Sequence, residues 1–86
     1  MAWQVSLSNQ ARKFLRDLRD ERLRGRIEEA IDALAVNPRP EGMKLLAASD
    51  GIHRVRIGDY RVLYAIRDAE LLVLVVKIAH RREVYR

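Results

Sequence analysis

Three arginines, a histidine, a glutamate and a tyrosine crowd the segment "KIAHRREVYR" at positions 77–86, directly behind the apolar run "ELLVLVV". Upstream, "IHRVRIGDYRVLYAI" carries Arg54, Arg56 and Arg61. Guanidinium forks match the oxygens of a phosphodiester and keep their charge at any physiological pH. Such groups stabilise negative charge that grows in a transition state. A tyrosine ring such as Tyr85 stacks on a base, and the imidazoles of His53 and His80 titrate near neutrality. Arg54, Arg56, Arg61, Lys77, His80, Arg81, Arg82 and Tyr85 are therefore candidate binding residues for a phosphate-bearing partner.

Charge distribution supports a polyanionic partner. The formal net charge is +5. Residues 1–50 hold nine basic and eight acidic side chains, whereas residues 51–86 hold eight basic and four acidic ones. The positive field belongs to the second half, where Lys and Arg would neutralise phosphates and release counterions. No cysteine is present, which excludes disulfides and thiolate metal sites. No His/Asp/Glu set has ligand spacing, so neither metal nor cofactor is expected. The start "MAWQVSLSNQ" lacks a signal-peptide pattern, and no apolar run approaches the ~20 residues that span a bilayer. A cytoplasmic protein without a membrane partner is the expectation.

The elements that must position these residues follow from periodicity. Trp3, Val5 and Leu7 alternate with polar residues as in a half-buried strand, and Ser8 stands where an N-cap belongs. Ala11, Phe14, Leu15 and Leu18 form one helical stripe, and Leu23, Ile27, Ala30, Ile31 and Leu34 form another. "NPRP" ends the second helix, because each proline lacks a donor and disfavours helix in the residue before it. "IHRVRI", "YRVLYAI" and "LLVLVVKIAHR" then read as three strands joined by hairpin-length turns at Gly58-Asp59 and at residues 67–70. The expected fold is α+β over a single domain, residues 1–86. Two helices cover one face of a four-stranded, mostly antiparallel sheet in the order β-α-α-β-β-β.

Parity assigns the faces. Val55 and Ile57, then Tyr60, Val62, Tyr64 and Ile66, point toward the helices, which leaves Arg54, Arg56 and Arg61 on the uncovered side. In the last strand the even set Leu72, Leu74, Val76, Ile78 and His80 is assigned to the helix side, and Lys77 and Arg81 to the other. Trp3, Tyr60 and Tyr64 are expected in the core. Glu83 is expected in an exposed ion pair with Arg81 or Arg82.

Together, "GDYR…VLY" and "HRREVYR" resemble the RelE/ParE superfamily of toxins from bacterial type II toxin–antitoxin operons, over the whole chain. The ending is similar to the RelE branch, whose members cleave messenger RNA. The resemblance implies a RelE/ParE-toxin-like, microbial-ribonuclease-like fold and a metal-independent endoribonuclease acting on ribosome-bound mRNA. It further implies that Arg61 stabilises the phosphate, Arg81 lies near the leaving oxygen, and Tyr85 stacks on the base or orients the nucleophile. Arg54 and Arg56 stand where the best-known members carry lysine. Arginine binds and stabilises but does not serve as a base, so the general base is not assigned. With Arg86 as the last residue, the C-terminal helix of some members is not expected. An antitoxin that covers the open sheet face or wraps the helices is the implied partner. The ParE branch, which poisons DNA gyrase without a hydrolytic site, is the alternative, along with a decayed RNA-binding homologue. Arg61 and Arg81 are both expected to be partly exposed, so that replacing either abolishes toxicity with little loss of fold.

Overall fold

A computed structural model describes residues 3–39, 44–45 and 51–80. The first strand, β1 (Gln4–Leu7), runs into α1 (Asn9–Asp17) through Ser8, whose hydroxyl oxygen accepts the Ala11 N–H at 3.1 Å. That capping bond satisfies one of the donors a helix start leaves over. Helix α2 (Glu21–Val36) begins in the same way, with an Asp20 carboxylate oxygen accepting from Leu23 N–H at 3.1 Å. Pro38 follows directly and prevents its continuation.

Strands β3 (Ile52–Ile57), β4 (Tyr60–Arg67) and β5 (Leu72–His80) form the expected antiparallel meander. Gly58 closes the first hairpin at φ +60°, a left-handed conformation that favours glycine. A single 3₁₀ turn, Asp68–Glu70, and a left-handed Leu71 close the second. Strand β1 lies parallel to β5, so the sheet is mixed, in the order β1-β5-β4-β3-β2. The fifth member, β2 (Lys44–Leu45), falls in the expected polar connection and pairs with Arg54 and His53. Two residues carry no alternation from which a strand is readable.

Both helices pack on one face of the sheet, and Ala11, Leu15, Ile27, Ile31 and Leu34 meet Ile57, Val62, Tyr64, Val73, Val75 and Ile78 there. Here β5 departs from its expected parity. Val73 and Val75 are fully buried in that core, so Leu72, Leu74 and Val76 take the open face instead. The cause is a β-bulge. Leu63 pairs with Lys77 while Tyr64 pairs with Val75, so Val76 is an extra residue on β5. One inserted residue reverses the alternation. Beyond it, Ile78 and His80 return to the helix side, and Lys77 emerges on the open face.

Candidate nucleic-acid interface

The open face at one end of the sheet is built from two successive rungs. In the first, Arg54 stands opposite Leu63, and Leu63 opposite Lys77. In the second, Arg56 stands opposite Arg61, and Arg61 opposite Ala79. Three neighbouring strands thus bring Arg54, Arg56, Arg61 and Lys77 onto one surface. Arg56 and Arg61 are direct cross-strand neighbours, an arrangement of like charges that disfavours folding. An anion laid across the pair relieves that repulsion.

The four cations differ in exposure. Lys77 and Arg56 are exposed, Arg54 is half-buried, and Arg61 is only 7% exposed, flanked by the fully buried Ala79. Burial of Arg61 corrects the expectation that it is partly exposed. Arg61 is the second residue of β4, between β3 and β5, and its burial extends to Nη1 of the guanidinium. Between charges 4 Å apart the attraction is about 1 kcal/mol in water but about 4 kcal/mol at the effective dielectric of a protein surface. Arg61 therefore suits the most demanding electrostatic contact. Arg56 is turned along its own hairpin, where its Nε donates to the Gly58 carbonyl at 2.9 Å.

Strand parity alone does not reach one further cation. The Arg26 guanidinium, carried by α2, lies over the hairpin with Nη1 3.8 Å from where a Cβ on Gly58 would stand. Only the docking of α2 brings it there, and a helical sequence by itself does not reveal which loop its exposed side faces.

The two histidines point elsewhere. His80 packs edge-on against Tyr60 with ring centroids 5.3 Å apart, and Tyr60 meets Phe14 of α1 at 5.8 Å. This row of rings lies on the helix side of the sheet, away from Arg61. His53 stacks on Tyr64 at 5.6 Å, also on the helix side. Burial, followed by the charge of Arg39, pushes the His53 imidazole below its ordinary range. Tyr64 is fully buried and donates to the Pro38 carbonyl at 2.8 Å. Arg39 forks onto both Asp68 oxygens at 3.2 and 3.0 Å and holds that carboxyl low. Arg81, Arg82 and Tyr85 lie outside the described residues, as does Glu83. Among the described residues no His, Asp or Glu cluster has the makings of a metal site, and no helix is long and apolar enough to cross a membrane.

A small α+β domain with helices on one sheet face and cations on the other matches a known class. Residues 5–85 match the family described as the ParE toxin of the type II toxin–antitoxin system parDE. The chain is 33% identical to a putative toxin RelE1 of Methanocaldococcus jannaschii, covering all of this chain and 98% of that one. It is likewise 33% identical to a toxin RelE of Mycobacterium tuberculosis, over 98% of this chain and 87% of the relative. RelE in the archaeal RelE–RelB complex from Pyrococcus horikoshii superposes with a TM-score of 0.80 at 27% identity, covering 94% of this chain and 97% of that one. The M. tuberculosis RelBE2 complex gives a TM-score of 0.77 at 30% identity, with 94% and 100% covered. This chain belongs to the RelE/ParE superfamily of type II toxins.

Proposed function

We propose that the protein is a RelE-like endoribonuclease that cleaves ribosome-bound mRNA and so arrests translation. The observation that carries this reading is the pair of rungs that sets Arg61 among Arg54, Arg56 and Lys77 on the sheet face opposite the helices. The names of the relatives at 33% identity favour the RelE branch.

RNA supplies its own nucleophile. The 2′ oxygen attacks the adjacent phosphorus as its proton leaves to a base, the bond to the 5′ oxygen breaks, and that oxygen takes up a proton. The products are a 2′,3′-cyclic phosphate and a 5′ hydroxyl. In this reading Arg61 holds the non-bridging oxygens, where negative charge grows, and Arg54, Arg56 and Lys77 hold flanking phosphates. Arg81 serves the leaving oxygen, Tyr85 stacks on a base, and Arg82 borders the cleft, whereas His80, packed on the helix side, takes no part. Alignment by the ribosome supplies the in-line geometry that a site without an evident base needs. A RelB-like antitoxin neutralises the toxin in the cytoplasm, and the RelE–RelB complexes among its structural relatives support that partnership.

Primer extension on cellular mRNA after induction, with and without translation, tests the proposal. Translation-dependent cuts that vanish with Arg61→Ala are expected. The ParE description of the family model favours a second reading, inhibition of DNA gyrase. Broken DNA alongside intact mRNA would establish it in place of the first.

A further inference from the structure

Strand β1 supports β5 only as far as Leu7 opposite Val75, after which the chain turns away into α1. The edge of β5 is nevertheless satisfied beyond that point. Ser8 N–H donates to the Val75 carbonyl at 2.8 Å, and the Ser8 hydroxyl donates to Val76 O at 2.7 Å, next to the bulge. Two residues further, the side chain of Gln10 takes over. Its Nε2 donates to the Ile78 carbonyl at 2.9 Å, and its Oε1 accepts the Ile78 N–H at 3.0 Å. A strand residue directs its N–H and C=O to the same edge, and a primary amide offers one donor and one acceptor side by side. Gln10 thereby replaces a missing strand for one residue.

The location gives this clamp its importance. Ile78 pairs with Val62 on its other edge, between the Leu63–Lys77 and Arg61–Ala79 rungs. Ala79 is fully buried against Arg61, and Arg81 follows His80 directly in the chain. Without the clamp, β5 past its bulge would be an edge strand held from one side only. Gln10 itself is exposed, so truncating it opens no cavity in the core.

We propose that Gln10 is a positioning residue of the toxin: its amide locks β5 behind the bulge and so holds Ala79 against Arg61. The inference rests on the cationic face being the toxic face, as the ribonuclease reading has it. Positioning at this rung matters because a displacement of about 1 Å costs up to ~10²-fold in rate.

Three readouts on the full-length protein test it: hydrogen exchange at the Ile78 amide, growth arrest on expression, and RNA cleavage on programmed ribosomes. Gln10→Ala should remain folded, lose on the order of tenfold in Ile78 protection, and lose about tenfold in kcat with KM little changed. Gln10→Glu supplies a control that simple loss of packing does not reproduce. Its carboxylate accepts from Ile78 N–H but confronts the Ile78 carbonyl with a second acceptor, whereas the protonated acid regains a donor. Relative to Gln10→Ala at the same pH, its Ile78 protection should rise as pH falls through about 4.3. Unchanged protection in Gln10→Ala, full toxicity despite lost protection, an unfolded Gln10→Ala, or no pH-dependent recovery in Gln10→Glu would each overturn the proposal. If the wild type arrests growth without cutting RNA while Gln10→Ala is harmless, the ribonuclease reading fails and the positioning role stands. If both proteins cut RNA equally, the reverse holds.

Discussion

The open face of the sheet has two dissimilar ends. One end presents Arg54, Arg56, Arg61 and Lys77 across three strands. The other presents Ile52, Ala65, Leu74 and Val76 around a shallow cavity of about 250 Å³. The same three strands supply both, so the contrast comes from the side chains and the bulge rather than from a change of architecture. A cationic surface attracts a polyanion at long range, whereas an apolar surface contributes only when another apolar surface covers it. The first suits a substrate that must be captured and released, the second a protein that stays bound. On the proposed ribonuclease reading these two demands correspond to RNA and antitoxin.

The largest effect is expected at the cationic end. Arg61→Ala should lower cleavage by about 10²–10³-fold, the range for removing one preorganised donor to developing charge. Because Arg61 is buried, the same change should also destabilise the fold by about 0.5–3 kcal/mol, readable by urea denaturation. A variant with normal cleavage would remove the distinction between the two ends.

A charge placed at the apolar end sharpens the contrast. Leu74→Glu is expected to leave cleavage and growth arrest intact but to abolish rescue by the antitoxin, scored by co-expression and co-purification. Loss of toxicity with rescue retained would show that the two ends are not separable.

Smaller effects are expected where the apolar end is underpinned on the helix side. Tyr64→Phe removes the hydroxyl that donates to Pro38 and leaves that carbonyl without its donor. A loss of about 1 kcal/mol in stability is expected by denaturant titration, with cleavage unchanged. The smallest effect concerns acid. The folded state holds the His53 imidazole below the 6.5 of the free side chain, so the unfolded chain takes up that proton first. Stability from this group is complete above about pH 6.5 and is lost as pH falls through the lower, folded value. His53→Gln should flatten the decline of Tm between about pH 7 and 5; an unaltered slope would place the acid sensitivity elsewhere.

Much of this arrangement was determined by sequence alone, wherever local chemistry was enough. Ser8 before the first apolar stripe and the prolines after the second bounded the helices, because capping and a missing donor act within one turn of chain. The alternation from Arg54 to Ile57 and from Tyr60 to Val62 assigned Arg54, Arg56 and Arg61 to one face, because charged and apolar residues trade places over those steps. In β5 the residues from Leu72 to Val76 are all apolar, so no pattern marked the bulge at Val76 or revealed that Val73 and Val75 are the inward set. Packing against α1 and α2 decided which valines were buried, a choice among near-equivalent hydrophobics that depends on the shape of the facing helices. Likewise, Gln10 is one polar residue among several on an exposed helix turn. Its role exists only because the parallel docking of β1 carries it to an edge 68 residues away in the chain, where Ile78 has one donor and one acceptor left to satisfy.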